Sequence, residues 1–167
     1  ATVEVISLLG ATPVFCDINK KTFNIDPSGL QKAYDLSIAK GLSPKVIMPV
    51  DLFGLPANYS LINDFAEQNN LVVLEDAAQS FGGMINENRC GFFGDVSATS
   101  FFPAKPLGCY GDGGAIFTDN DELANKMKSI RVHGSGKDKY DNVLIGLNGR
   151  LDTIQAAIVI EKLNIFD

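Results

Sequence analysis

The alternation of apolar runs with amphipathic segments is the feature that most constrains the fold of this chain. Residues 45–50 and 71–74 are short apolar runs, typical of strands that are buried on both faces of a parallel sheet. Between them, Leu61, Ile62 and Phe65 recur at the spacing of one helix face. This order predicts an α/β fold with a mostly parallel sheet, whose ligands bind beyond the carboxyl ends of the strands.

The rest of the chain continues this pattern. Asp26 and Pro27 supply an N-cap and a first-turn proline for a helix that ends near Gly41. The stretch 82–94 is rich in Gly and Asn, which indicates a hairpin turning at 86–88. Further helices are predicted at 1–9, from a cap at Asp119 or Asn120 through Ile130, and at 151–163, and further strands at 12–17, 97–102 and 114–118.

Charge and composition exclude several classes of protein. The chain has 167 residues, with 14 Lys and Arg against 20 Asp and Glu, which gives a net charge of −6. An acidic chain without a basic cluster lacks the charge that nucleic-acid binding requires, and no apolar run approaches the roughly 20 residues of a membrane span. We therefore expect a soluble globular protein without nucleic-acid or membrane partners.

The three cysteines do not suggest a disulfide or a metal site. Cys16, Cys90 and Cys109 are odd in number and far apart, and the single histidine cannot complete a zinc site. We expect small core thiols in a reducing cytoplasm.

Two segments carry side chains suited to chemistry. Residues 75–79, Glu-Asp-Ala-Ala-Gln, directly follow a predicted buried strand and could hold a cationic or hydrogen-bonding ring. From this segment alone, it is equally reasonable that the Asp only caps the following turn and that the Gln has no function. Lys105 lies between prolines and apolar residues, a setting that favours the neutral, nucleophilic amine. A lone loop lysine is more commonly a solvated charge.

Taken together, three segments resemble the DegT/StrS-type sugar aminotransferases in order and spacing. They are residues 75–82, residues 100–115, which include Ser-Phe-Phe-Pro-Ala-Lys, and residues 146–157, which include Gly-Leu-Asn-Gly-Arg. The resemblance implies the three-layer α/β/α large domain of a fold-type-I enzyme that uses pyridoxal 5′-phosphate (PLP). Family members are well over twice as long, so residues 1–167 are expected to be the central part of that domain, without the N-terminal segment and the small C-terminal domain.

The resemblance also implies roles for individual residues. Lys105 would bond to the cofactor aldehyde and carry protons, while Asp76 would pair with the pyridine nitrogen and keep it protonated. Ala78 would lie against the ring, Gln79 would reach the phenolic oxygen, and Ser100 would donate to the phosphate. In the family a residue at the position of Asn148 crosses a dimer interface to the neighbour's cofactor phosphate.

The implied activity is transfer of an amino group from L-glutamate to a keto group of a nucleotide-linked sugar, with C3 of a UDP-linked 3-keto-2-acetamido uronic acid as a subgroup interpretation. The protein is expected to be a cytoplasmic homodimer with shared sites, partly because the polar, Gly-rich stretch 133–149 is long for an ordinary connection.

Two alternatives to this activity are considered. The first is a related sugar dehydratase, but those enzymes carry histidine in place of the lysine, so Lys105 argues against this alternative. A non-catalytic fragment or regulatory remnant of the fold is the other alternative. The chain departs from the family at 51–54, Asp-Leu-Phe-Gly, where a histidine often stands first.

Overall fold

The computed structural model describes residues 1–138 and 140–166. Its helices are α1 (Thr2–Leu8), α2 (Leu30–Ala39), α3 (Tyr59–Gln68), α4 (Asp121–Arg131) and α5 (Thr153–Leu163), with 3-10 turns at Pro27–Gly29 and Leu52–Gly54. Its strands are β1 (Val46–Ile47), β2 (Val72–Asp76), β3 (Met84–Ile85), β4 (Asn88–Arg89), β5 (Val96–Ser100) and β6 (Gly114–Phe117).

The main sheet has four strands in the order β1-β2-β5-β6. β1, β2 and β5 run parallel, whereas β6 is antiparallel to β5. β3 and β4 form the separate hairpin that the Gly- and Asn-rich stretch predicts, with Asn86 in the left-handed region at its turn. The predicted α/β fold with a mostly parallel sheet is confirmed.

Side-chain caps fix where the helices begin. Asn58, Asn120 and Asp152 each accept a hydrogen bond from the backbone N–H three residues later, at the starts of α3, α4 and α5. Asp26 accepts from Ser28 N, as its predicted capping role requires, but it caps the 3-10 turn, and α2 begins only at Leu30. Of the two candidates at 119 and 120, Asn120 is the cap.

Two apolar clusters form the core. The first packs α2 and α3 against β1 and β2, through buried residues that include Leu30, Ile47, Ile62 and Val73. The second joins α5 to the loop between β5 and β6, through Phe101, Leu107, Cys109 and Val159. The loop that contains Lys105 is therefore anchored in the core on its far side, at 107–109.

Two predicted strands differ from the structure. Residues 12–17 belong to no strand or ladder within the described chain, and Phe15 is 74% exposed. β1 is limited to Val46–Ile47 because Pro49 has no N–H to donate to a ladder. The Pro49 carbonyl still accepts from Asp76 N at 2.9 Å, and Val50 forms a single bridge with Asp76.

Across the described residues, no helix is both long enough and apolar enough to cross a membrane.

The first cluster yields a test on adjacent residues of α3. Ile62 is completely buried and Leu61 is 51% exposed. We predict that Ile62→Ala lowers the free energy of unfolding by about 2–5 kcal/mol, because it leaves a cavity, whereas Leu61→Ala changes it by less than about 1 kcal/mol. Urea unfolding measures both values. Equal losses for the two variants would contradict this packing.

Candidate active site

The carboxyl ends of two neighbouring parallel strands define the candidate site. Asp76 is the last residue of β2 and Ser100 is the last residue of β5. The register pairs Asp76 with Ala98, so Ser100 extends two residues further at the same edge of the sheet. Lys105 follows five residues later, in the loop that leaves β5. The topology thus brings Asp76 and Ser100 to one end of the sheet, and Lys105 lies in the loop that leaves the same end.

Strand alternation separates the two acidic residues at the end of β2. Val73, Glu75 and Ala77 are buried on one face, whereas Leu74 and Asp76 are partly exposed on the other. Glu75 therefore faces the core and Asp76 faces the site.

Four contacts hold Asp76 in place. Its backbone N–H donates to Pro49 O at 2.9 Å, and its carbonyl accepts from Asp51 N at 3.1 Å. In the side chain, Oδ1 accepts from Ala78 N at 3.2 Å and Oδ2 accepts from the Thr2 hydroxyl at 2.7 Å. Thr2 was not identified from the sequence, because nothing in the local pattern signals a contact between residues 74 positions apart.

The turn after β2 presents the next two predicted residues. Ala77 N donates to Ala98 O at 2.9 Å, and the Thr99 hydroxyl donates to Ala77 O at 3.1 Å, so the turn is tied to β5. Ala78 and Gln79 follow and are partly exposed. The Gln79 amide has no hydrogen-bond partner in the described part of the chain.

The end of β5 and the loop after it carry the predicted hydroxyl and lysine, five residues apart in sequence. Ser100 Oγ accepts from Phe102 N at 3.2 Å, which leaves its own O–H available as a donor. Lys105 N donates to Phe102 O at 2.8 Å, and its side chain is partly exposed. Within residues 1–138 and 140–166, no carboxylate forms a salt bridge with the Lys105 amine.

Helix α5 supports the same loop from behind. Gln155 Oε1 accepts from Tyr110 N at 2.8 Å. Lys162 Nζ donates to Gly108 O and lies 4.7 Å from the centre of the Tyr110 ring, within the range of a cation–π contact. These contacts fix the backbone just beyond Lys105.

A buried polar network lies on the core face of the strand end. Asp51, fully buried, accepts from Ala57 N at 2.9 Å, from the Tyr59 hydroxyl at 2.8 Å and from the Ser80 hydroxyl at 2.9 Å. Glu75, also fully buried, accepts backbone N–H groups of the segment 91–94 at 2.6–3.3 Å. Burial raises the pKa of Glu75, and these three N–H donors oppose the rise.

Cys90 completes that network. Ligand atoms of Asp51, Glu75 and Cys90 lie within 4.8 Å of one another. Both carboxylates, however, already accept hydrogen bonds from protein donors at each oxygen, so the cluster acts as a hydrogen-bonding centre that links the β1 and β2 ends to the segment after the hairpin. Asp51 was noted from the sequence only as a departure from the family; its burial depends on tertiary contacts that no local pattern shows.

Asn148 is not joined to these residues. Its backbone forms a bridge with Val132 just beyond α4, and its side chain is exposed. In the described chain, no hydrogen bond links its side chain to the strand ends.

Comparison with known proteins identifies the family. The profile of the DegT/DnrJ/EryC1/StrS aminotransferase family matches residues 1–167, the whole chain. The chain belongs to this family.

Two curated relatives have the same percentage of sequence identity to the chain. It is 47% identical to the UDP-2-acetamido-2-deoxy-3-oxo-D-glucuronate aminotransferase of Pseudomonas aeruginosa, over 100% of the chain and 45% of that protein. It is also 47% identical to a Geobacillus stearothermophilus protein named as a pleiotropic regulatory protein, over 97% of the chain and 42% of that protein. The chain thus spans under half the length of these relatives.

Solved structures of the family share the fold. A DegT/DnrJ/EryC1/StrS aminotransferase from Brucella abortus superposes with a TM-score of 0.96 at 54% identity, over 99% of this chain and 44% of that one. NtdA from Bacillus subtilis, solved with the cofactor PMP bound, gives 0.85 at 34% identity, over 98% of this chain and 36% of that one. The large-domain architecture of fold type I is confirmed.

The buried network gives a prediction for Cys90. Burial raises the pKa of this thiol to about 12, and the charges of Asp51 and Glu75 add to the effect, although a hydrogen bond with Ser80 opposes it. The thiol is therefore protonated at pH 8, and its contribution to stability is lost only as the pH rises from about 9.0 towards 12. We predict that iodoacetamide at pH 8 alkylates Cys90 at least about 100-fold more slowly in the folded chain than in urea.

Peptide mapping by mass spectrometry measures the rate at each cysteine. Equal rates for Cys90 in the folded and the unfolded chain would contradict this account of the network.

Proposed function

We propose that the protein is a PLP-dependent aminotransferase that moves an amino group from L-glutamate to a keto group of a nucleotide-linked sugar. The observation that carries this proposal is the placement of Asp76 and Ser100 at the ends of adjacent parallel strands, with Lys105 in the loop that follows. The name of the Pseudomonas aeruginosa relative supports C3 of a UDP-linked 3-keto-2-acetamido uronic acid as the acceptor.

The donors and acceptors at the strand end fit pyridoxal phosphate. Asp76 offers an oriented carboxylate to a pyridinium nitrogen, and Lys105 offers an amine without a salt-bridge partner in the described chain. Ser100 retains an O–H for a phosphate oxygen, and Gln79 has a free amide for the phenolic oxygen. Ala78 is small enough for a ring to lie against it.

These residues would divide the work between binding and proton transfer. When bound, pyridoxal phosphate supplies a ring that withdraws electrons from the carbon next to the amino nitrogen. Asp76 holds the proton on the ring nitrogen through a charge-assisted hydrogen bond. The Lys105 amine would accept the proton from the substrate Cα and deliver it to C4′ of the cofactor.

A homodimer with shared sites is part of this proposal. The exposed Asn148 side chain is available to a neighbouring subunit, and the resemblance assigns it to the neighbour's phosphate. In α5, Ile154 and Ile160 are 73% and 57% exposed and could pack in such an interface. The cytoplasmic location expected from the sequence stays a prediction.

A regulatory protein without turnover is the second candidate, because a relative with that name is as similar as the named aminotransferase. The regulatory candidate predicts the same fold and allows cofactor binding. It does not predict release of 2-oxoglutarate from L-glutamate, and this difference decides between the two candidates.

We predict that the intact protein, loaded with PLP, converts L-glutamate into 2-oxoglutarate with one equivalent released per site in the absence of a sugar. Lys105→Arg should abolish this release because its guanidinium cannot donate or accept the proton, and the exposed Lys137→Arg serves as the matched control. Borohydride reduction and peptide mapping should find the pyridoxyl group on Lys105. No 2-oxoglutarate from the unsubstituted protein would favour the regulatory candidate, and a label on Lys137 would contradict the site.

We also predict complementation between inactive chains. If Asn148 serves the neighbour's site, then a Lys105→Ala chain and an Asn148→Ala chain form a heterodimer with one intact site, and mixing them restores activity. Sedimentation and native mass spectrometry confirm that heterodimers form. Heterodimers no more active than either parent would place Asn148 in its own subunit's site or in none.

A further inference from the structure

The proposed function gives no role to the hydrogen bond between Thr2 and Asp76. Thr2 is the first residue of α1 and is partly buried. Its hydroxyl donates to Oδ2 of Asp76 at 2.7 Å, a length typical of a hydroxyl bonded to a carboxylate. It is the one side chain of the described residues that donates to Asp76.

The other contacts of Asp76 leave its side chain incompletely fixed. The bonds to Pro49 O and Asp51 N hold only its backbone. The Ala78 N–H, at 3.2 Å, engages Oδ1 alone and comes from the turn that immediately follows. The terminal torsion of an aspartate is broad, so a single contact at one oxygen leaves the plane of the carboxylate free to rotate. Thr2 supplies the second contact, at the other oxygen.

We propose that Thr2 is a positioning residue, whose hydroxyl holds the Asp76 carboxylate in the plane that receives a pyridinium N–H. This inference rests on the proposed function. A carboxylate oxygen has about two lone-pair sites, so the oxygen bonded to Thr2 can still accept a further N–H. The hydrogen bond also connects α1 to the end of β2. Loss of the hydroxyl would free the Asp76 carboxylate to rotate but would leave its charge in the site.

The test compares Thr2→Val, which keeps the shape of the side chain and removes the hydroxyl, with Thr2→Ser, which keeps the hydroxyl. In the intact protein loaded with PLP, we expect Thr2→Val to lower kcat about tenfold and to shift the pH at which the absorbance of the bound cofactor changes. Thr2→Ser should stay within about twofold of the unsubstituted protein in both measurements. Thr2→Ala is a second variant without the hydroxyl, in case Thr2→Val does not fold.

Thermal unfolding without the cofactor separates positioning from stability. A role in stability alone would lower the Tm of Thr2→Val but leave the absorbance titration unchanged, and that result would overturn the proposal. Equal titrations and kcat values for the Val, Ala and Ser variants would overturn it as well. If the unsubstituted protein binds no PLP, the proposed function fails; if it binds PLP and the variants match it, only the role of Thr2 fails.

Discussion

The parallel pairing of β2 with β5 is the interaction on which the site depends. It sets Asp76 beside Ala98 and brings the last residues of both strands to one edge of the sheet. A register shift of one residue would exchange the faces of Glu75 and Asp76, placing the wrong acid in the core. Val73 N donates to the Asp95 carboxylate at 2.8 Å, and Ala77 N donates to Ala98 O, so both ends of the pairing are fixed.

Two buried carboxylates stabilise the loops around that edge. An isolated carboxylate would be costly to bury, but Glu75 accepts three N–H groups from 91–94, and Asp51 accepts one N–H and two hydroxyls. Across the described residues, every buried side-chain nitrogen and oxygen has a partner. The polar groups on the core face of the strand end are thus satisfied within the protein, whereas Asp76 lies on the other face of β2.

Local patterns were sufficient to predict the helices, the mostly parallel sheet and the segments that carry Asp76 and Lys105, because apolar periodicity and caps depend on near neighbours. The contact of Thr2 with Asp76 and the burial of Asp51 could not be predicted, since each depends on residues distant in sequence. The prediction of a strand at 12–17 was wrong for a related reason. β propensity is a local property, but a strand requires a partner to pair with. The roles of Ala78, Gln79, Ser100 and Asn148 came from the family resemblance and stay predictions.

A crystal structure of the intact protein grown with PLP tests the central claim most directly. The account predicts continuous electron density between the cofactor and Lys105 Nζ, the Asp76 carboxylate within about 3 Å of the ring nitrogen, and the Thr2 hydroxyl still bonded to that carboxylate. Cofactor bound elsewhere, or a ring nitrogen that faces a group other than Asp76, would contradict the assignment of the strand ends as the active site.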